Sequence, residues 1–203
     1  MRAPLLRDER AVTVIEFAFI LPVLLVLIMG LSDMLFQSYA QAVLTGEVQK
    51  AGRDAGLEAS NTDTLDAKVI SRMTPLLKGL TNSCATGPAN NPVWCAKRLS
   101  YDNFMEIGPE PFTDANGNGV RDPGECYTDV NGNRQWDAEP GTSGQGGASA
   151  VTLYTMQITF PRIFPVAALL GWSTTKTIRA STILKNQPYA TQTTTATTTI
   201  CNP

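Results

Sequence analysis

The residues best suited to chemistry lie between positions 110 and 141. Asp114, Asn116, Asn118, Gly119, Asp122 and Glu125 satisfy the calcium-loop pattern D-x-[DN]-x-[DN]-G-x5-E at every defined position. The spacing has a physical basis. Side-chain oxygens of Asp114, Asn116, Asn118 and Asp122, with the carbonyl of Val120, converge on one hard cation; Glu125 closes the shell in bidentate fashion, and Gly119 permits the sharp turn. The segment also half-repeats itself: Glu110 to Asn118 (EPFTDANGN) recurs as Glu125 to Asn133 (ECYTDVNGN), offset by 15. In the second loop Asp129, Asn131, Asn133, Asp137 and Glu139 are the candidate ligands, but Arg134 stands where the turn glycine belongs and Glu139 comes one position early. That loop is expected to be weaker or empty. A metal-free alternative is a cluster of Asn-Gly turns. Pro111, Pro123 and Pro140 break any flanking helices, so the expectation is isolated calcium loops between strands, ordering a segment too polar to bury a core. Outside the cytoplasm calcium is abundant enough that even a site of about 10⁻⁴–10⁻³ M would fill. The glycine-rich run after Pro140 reads as a flexible connector.

Other chemistries find little support. The chain has 203 residues, no histidine and a net charge of −2. The commonest general base and zinc ligand are therefore missing, no nucleophile–base pair offers itself, and there is no basic footprint for nucleic acid. The expectation is no enzyme. Cys84, Cys95, Cys126 and Cys201 form no CxxC pair and read as two disulfides in an exported domain. Of three possible pairings, the short loop around Pro88 and Pro92 favours Cys84 with Cys95, leaving Cys126 with Cys201.

Whatever positions these groups is tethered to a membrane. Val12 to Leu31 is apolar apart from Thr13 and Glu16, and about 20 residues at 1.5 Å rise span roughly 30 Å. Arg2, Arg7 and Arg10 precede the segment and Asp33 follows it, which places the N-terminus in the cytoplasm. A cleaved secretory signal, with Ala40-Gln41-Ala42 as its cutting site, is the competing reading. Against it, the helical pattern runs on through Met34, Leu35, Tyr39, Val43 and Val48. Glu16 sits one turn inside the apolar stretch. A cut between Ala11 and Val12 would place the new α-amino group four residues before it, where the two charges could pair within or between subunits.

The stretch Arg10-Ala11-Val12-Thr13-Val14-Ile15-Glu16-Phe17-Ala18-Phe19-Ile20-Leu21-Pro22 resembles the start of TadE-like pilus-assembly proteins, minor pseudopilins of the tight-adherence (Flp-type) pilus system. Ala180-Ser181-Thr182 and Lys185-Asn186-Gln187-Pro188-Tyr189 are similar to the family's closing strand and ending, with Lys185 and Gln187 in place of Arg and Glu. The family usually has Gly where Ala11 stands, the residue after which its prepilin peptidase cuts. The resemblance implies a bacterial inner-membrane location with a periplasmic C-terminal domain. Implied partners are the lipid bilayer, other Tad-system pilins and inner-membrane assembly proteins, with Glu16 as an assembly charge.

Beyond the anchor, a helix is expected over 33–59, with Ala40, Ala51, Ala55 and Gly56 along one side, serving either subunit packing or the monomer's own core. A second helix from about Thr64 carries the stripe Leu65, Val69, Met73 and Leu77, and Pro75 kinks or ends it. Strands are expected at 97–107, 151–160 and 176–185, from their alternation, with a short helix at 164–170. The Thr-rich tail 191–200 is either an edge strand tied by Cys201 or a loose end. The predicted fold is α+β, with a transmembrane helix continuing into a pilin-like outer domain that holds a small antiparallel sheet and an inserted calcium-loop element. Its parts are a basic cytoplasmic leader (1–11), the transmembrane helix (12–32), helices, disulfide loop and first strand (33–109), the calcium insertion (110–141), and the remaining strands and tail (142–203). The expected function is a pseudopilin-like component of a Tad/Flp-type pilus or secretion apparatus. The alternative is a membrane-anchored or secreted calcium-dependent adhesin or binding module.

Overall fold

A run of helix-compatible residues without an internal stop builds α1 (Glu9–Ala55), one continuous helix of 47 residues in this computed structural model. Residues 9–55, 62–84, 91–164, 166–169, 171–187 and 196–201 are described, with only the backbone given for 9–12 and Leu169. Pro22 lies inside α1 without ending it, as apolar membrane helices tolerate. The first half of α1 is long and apolar enough to cross a membrane, and its side chains from Val14 to Ile20 are exposed.

The second half of α1 changes character. Ala40, Leu44, Val48, Ala51 and Ala55, three or four residues apart, form a stripe buried in the core of the outer domain. Small side chains on this stripe therefore serve packing within the chain. Gly52 shows why: a Cβ there would collide with Thr182 of the strand beneath. Helix α2 (Thr62–Met73) lays Leu65, Val69 and Met73 against the same core and stops two residues before Pro75. Leu77, on the turn beyond it, is buried there too. Gly56 lies outside the described residues.

The sheet runs β1 (Thr81–Asn82), β2 (Val93–Tyr101), β5 (Val151–Pro161), β6 (Thr175–Lys185). Neighbours are antiparallel except β1, which runs parallel to β2. The period-two reading of β5 and β6 holds: Tyr154, Met156, Ile158 and Phe160, with Ile178, Ala180 and Leu184, face α1 and α2. Each of the large aliphatic, Met and Phe side chains among them contributes about 1.5–3 kcal/mol on full burial. The expected strand at 97–107 is shifted. It starts at Val93 and ends at Tyr101, and Phe104–Glu106 is a 3-10 turn capped by Asn103. The cause is the neighbour: β5 pairs with β2 from Val93 to Tyr101, and the ladder sets the ends.

A buried ionic knot fixes α2 to the sheet. Arg98 on β2 donates to both oxygens of Asp66 on α2, at 3.0 and 2.6 Å, and the Tyr154 hydroxyl donates to Asp66 Oδ1 at 2.6 Å. The Arg98 guanidinium also lies 4.3 Å from the Tyr154 ring centre. Burial alone would lower the Arg98 pKa, but the Asp66 carboxylate outweighs it and the pKa rises. Burial, reinforced by Asp66, raises that of Tyr154.

The glycine-rich stretch expected to be a flexible connector is a packed part of the domain. It contains β4 (Thr142–Ser143), which pairs with Leu99 and Ser100 of β2. Gly141 lies against Tyr101 and Leu99, and Gly146 against Ser100 and Ala150, so closely that neither admits a side chain. Asn186 donates to the carbonyls of Gln145 and Gly147, both at 2.8 Å. Glycine here serves close approach rather than freedom. The short helix α3 (Val166–Leu169) and a two-stranded sheet of β3 (Tyr127–Asp129) with β7 (Thr198–Ile200) complete the described elements. Both disulfides follow the favoured pairing, Cys84–Cys95 and Cys126–Cys201, and the second ties the β7 edge strand to β3.

Candidate functional site

The register places the acidic insertion far from the membrane segment. Tyr101, where β2 ends, pairs with Val151, which pairs with Lys185 at the far end of β6. Gln145, just beyond the insertion, donates to the carbonyl of Ala55 at the end of α1. At 1.5 Å per residue this is about 33 Å along α1 from Asp33.

The two repeats are related by an approximate two-fold. Phe112 and Tyr127, equivalent in the repeat, form an antiparallel bridge with each other. Thr113 N–H donates to the Cys126 carbonyl and its counterpart Thr128 N–H to the Pro111 carbonyl, both at 2.8 Å. Loop geometry repeats in the same way. Asp114 Oδ1 and Oδ2 accept from Gly117 and Gly119 N–H, each at 2.7 Å; Asp129 Oδ1 and Oδ2 accept from Gly132 and Arg134 N–H at 2.7 and 2.8 Å. These N–H donors, that of Gly119 foremost, hold the Asp114 carboxyl below the usual carboxylate range. Asn116 and Asn118 both donate to Asp122 Oδ2, at 2.6 and 2.8 Å; Asn131 and Asn133 both donate to Asp137 Oδ2, at 2.8 and 2.6 Å. Arg134 adopts φ 61°, the left-handed conformation that Gly119 takes at φ 75°.

The glutamates reveal how the loops are coupled. Glu125 accepts from Ala115 N–H at 2.8 Å and from Asp122 N–H at 2.9 Å, closing the first loop. In the second loop the equivalent bonds, from Val130 N–H at 2.9 Å and Asp137 N–H at 3.0 Å, are accepted by Glu110. Glu139 instead pairs with Lys97 on the surface. Glu110 lies outside the calcium-loop pattern, although it is Glu125's counterpart in the repeat. It is buried, as are Asp129 and Glu125. The Trp136 indole donates to the Glu110 carbonyl at 2.9 Å and stacks edge-on against Phe112. Val120 presents its side chain to solvent.

Each loop therefore gathers three carboxylates and two carboxamides: Asp114, Asp122, Glu125, Asn116 and Asn118 in the first, and Asp129, Asp137, Glu110, Asn131 and Asn133 in the second. Among the described residues no three His, Cys, Asp or Glu side chains are close enough to hold a metal ion by themselves. Any cation site here draws on amide and backbone oxygens as well. The donors are oxygens throughout, which suits calcium rather than zinc or copper. A carboxylate oxygen that accepts one N–H keeps a further lone pair for a cation.

At the other end of the chain, Glu16 is exposed on the outward face of α1, and Ala11 and Val12 lie in its first turn, with only their backbone described. Residues 11–53, all within α1, match the family described as TadE-like protein. No curated protein and no solved structure matches the chain. The family match covers the helix and leaves the sheet and the acidic loops outside it.

Proposed function

We propose that the chain is a single-pass, pseudopilin-like component of a Tad-type pilus or secretion apparatus, carrying a calcium-ordered unit at its outer end. The observation that carries this reading is the TadE-like match over residues 11–53, falling on one helix whose first half is bare and apolar and whose second half is built into a domain. Such a helix can pack beside other pilin-like helices in the bilayer while its continuation holds the outer domain at a fixed distance. The basic residues before it support an N-terminus in the cytoplasm and a domain in the periplasm, a compartment that suits two disulfides. Glu16 would pair with an N-terminal amine once the chain is cut after Ala11. Deleting the gene in a piliated bacterium should abolish pili, and mass spectrometry of the mature protein should find Val12 first. Retained pili on the deletion strain would defeat the proposal.

For the insertion, the reading is a structural calcium pair. Asp114, Asn116, Asn118, the Val120 carbonyl, Asp122 and Glu125 would hold one ion. Asp129, Asn131, Asn133, Asp137 and Glu110 would hold the other, with Glu110 rather than Glu139 closing the loop. Both loops then carry equal carboxylate charge, so the second is handicapped only by Arg134 at the glycine position. Two carboxamide groups donate to one carboxylate oxygen in each loop. The buried glutamates would hold the backbone of each loop in the ligating geometry.

A further inference from the structure

The connection between β5 and β6 folds back toward the membrane end of α1. Phe160, at the end of β5, meets Phe36 edge-on with ring centres 6.1 Å apart, and Arg162 Nη1 lies 2.7 Å from Asp33 Oδ2. Farther along, Arg179 on β6 accepts from Gln41 through its carbonyl at 2.7 Å, so β6 climbs away from the membrane as α1 does. The described residues of the connection, 163–164, 166–169 and 171–174, therefore lie near the level of Asp33, beside the point where α1 leaves its bare apolar segment. The connection is a closed structure: Arg162 N–H donates to the Thr174 carbonyl and Trp172 N–H to the Ala167 carbonyl, both at 2.8 Å. Helix α3 touches α1, with Val166 and Ala167 buried.

The outward side of this connection is uncharged and presents large apolar side chains beside the exposed Ser173 and Thr174. No charged residue stands between Arg162 and Lys176, and Ile163 and Trp172 are 53% and 64% exposed. Asp33, which marks the boundary of the apolar segment in sequence, is not a free charge, because Arg162 neutralises it in a largely buried pair. Exposed apolar side chains continue past it on α1 at Met34, Leu35 and Tyr39. The apolar belt on the helix is thus continuous in level with the exposed face of the connection. A tryptophan at that height suits the headgroup boundary.

We propose that the β5–β6 connection is a second membrane contact, seating Ile163 and Trp172 in the outer-face lipid interface and holding the domain upright on α1. This rests on the reading that α1 spans a bilayer. The test uses the full chain, one copy per lipid nanodisc, with acyl chains brominated near the headgroup. Fluorescence quenching is compared between the wild type and Trp172→Phe, an exposed and conservative change. The expected result is a lipid-dependent quenching component that Trp172→Phe loses, with that component protected from aqueous iodide. Quenching of Trp172 by iodide, or by neither agent, would overturn the lipid contact while leaving the anchor intact. A chain that fails to enter nanodiscs would overturn the spanning helix and this proposal together.

Discussion

Glu110 and Glu125 stand in equivalent places of a repeat, yet they close different loops. Each carboxylate accepts one N–H from the second position of a loop and another from the ninth, Glu125 in its own loop and Glu110 in the other. The second loop is therefore completed by a residue that precedes the first, which ties the two loops together.

This exchange predicts a crossed pattern in calcium calorimetry. Glu125→Gln should weaken the first site and Glu110→Gln the second, each by at least about tenfold, on the scale of losing a shell partner of a metal. Glu139→Gln should change neither. A loss of the second site on Glu139→Gln, with Glu110→Gln silent, would restore the ligand assignment read from spacing alone.

Arg134 holds a left-handed backbone conformation without the freedom of glycine. Relieving it with Arg134→Gly should stabilise the second loop by about 1 kcal/mol. Calcium affinity at that loop should rise correspondingly, while the first loop is unchanged. Denaturant unfolding with and without calcium would show it.

Asp66 is the shared acceptor of Arg98 and Tyr154, and its removal strands both. Asp66→Ala should cost about 3–5 kcal/mol in unfolding free energy, since it leaves a buried guanidinium without its counter-charge. Tyr154→Phe, which removes one bond and leaves the ion pair, should cost less, about 1.5–3 kcal/mol. Thermal and denaturant unfolding measure both.

The Asp114 carboxyl is held below the ordinary range by the N–H groups of its own loop. Its folded pKa is lower than its unfolded one, so its contribution to loop stability is in place above about pH 3.9 and is lost as pH falls through the folded value. A carbon-detected titration of the Asp114 carboxyl should give a midpoint below that of an unstructured aspartate. A midpoint at or above that reference would mean the loop does not hold its N–H groups on this residue.

Much of this architecture is legible in the chain. Tyr154 to Phe160 and Ile178 to Leu184 alternate because each strand has one face on the helices, and Leu65, Val69 and Met73 recur by fours because α2 lies flat on the core. What is not legible depends on partners distant in sequence. Val93 to Ala96 do not alternate clearly between buried and exposed, and only the ladder with β5 makes them strand. Gly141 and Gly146 look like slack until Tyr101, Leu99 and Ser100 are seen against them. Glu110 lies outside the twelve-residue window of either loop, and only the two-fold pairing of Phe112 with Tyr127 brings it to Val130 and Asp137.

The central claim is that α1 serves assembly within the membrane. Glu16→Ala, expressed in place of the wild type in a piliated bacterium, tests it most directly by electron microscopy of the cell surface with membrane fractionation alongside. The account predicts variant protein in the membrane fraction at normal level and few or no pili. Normal piliation with the variant in the membrane would contradict it.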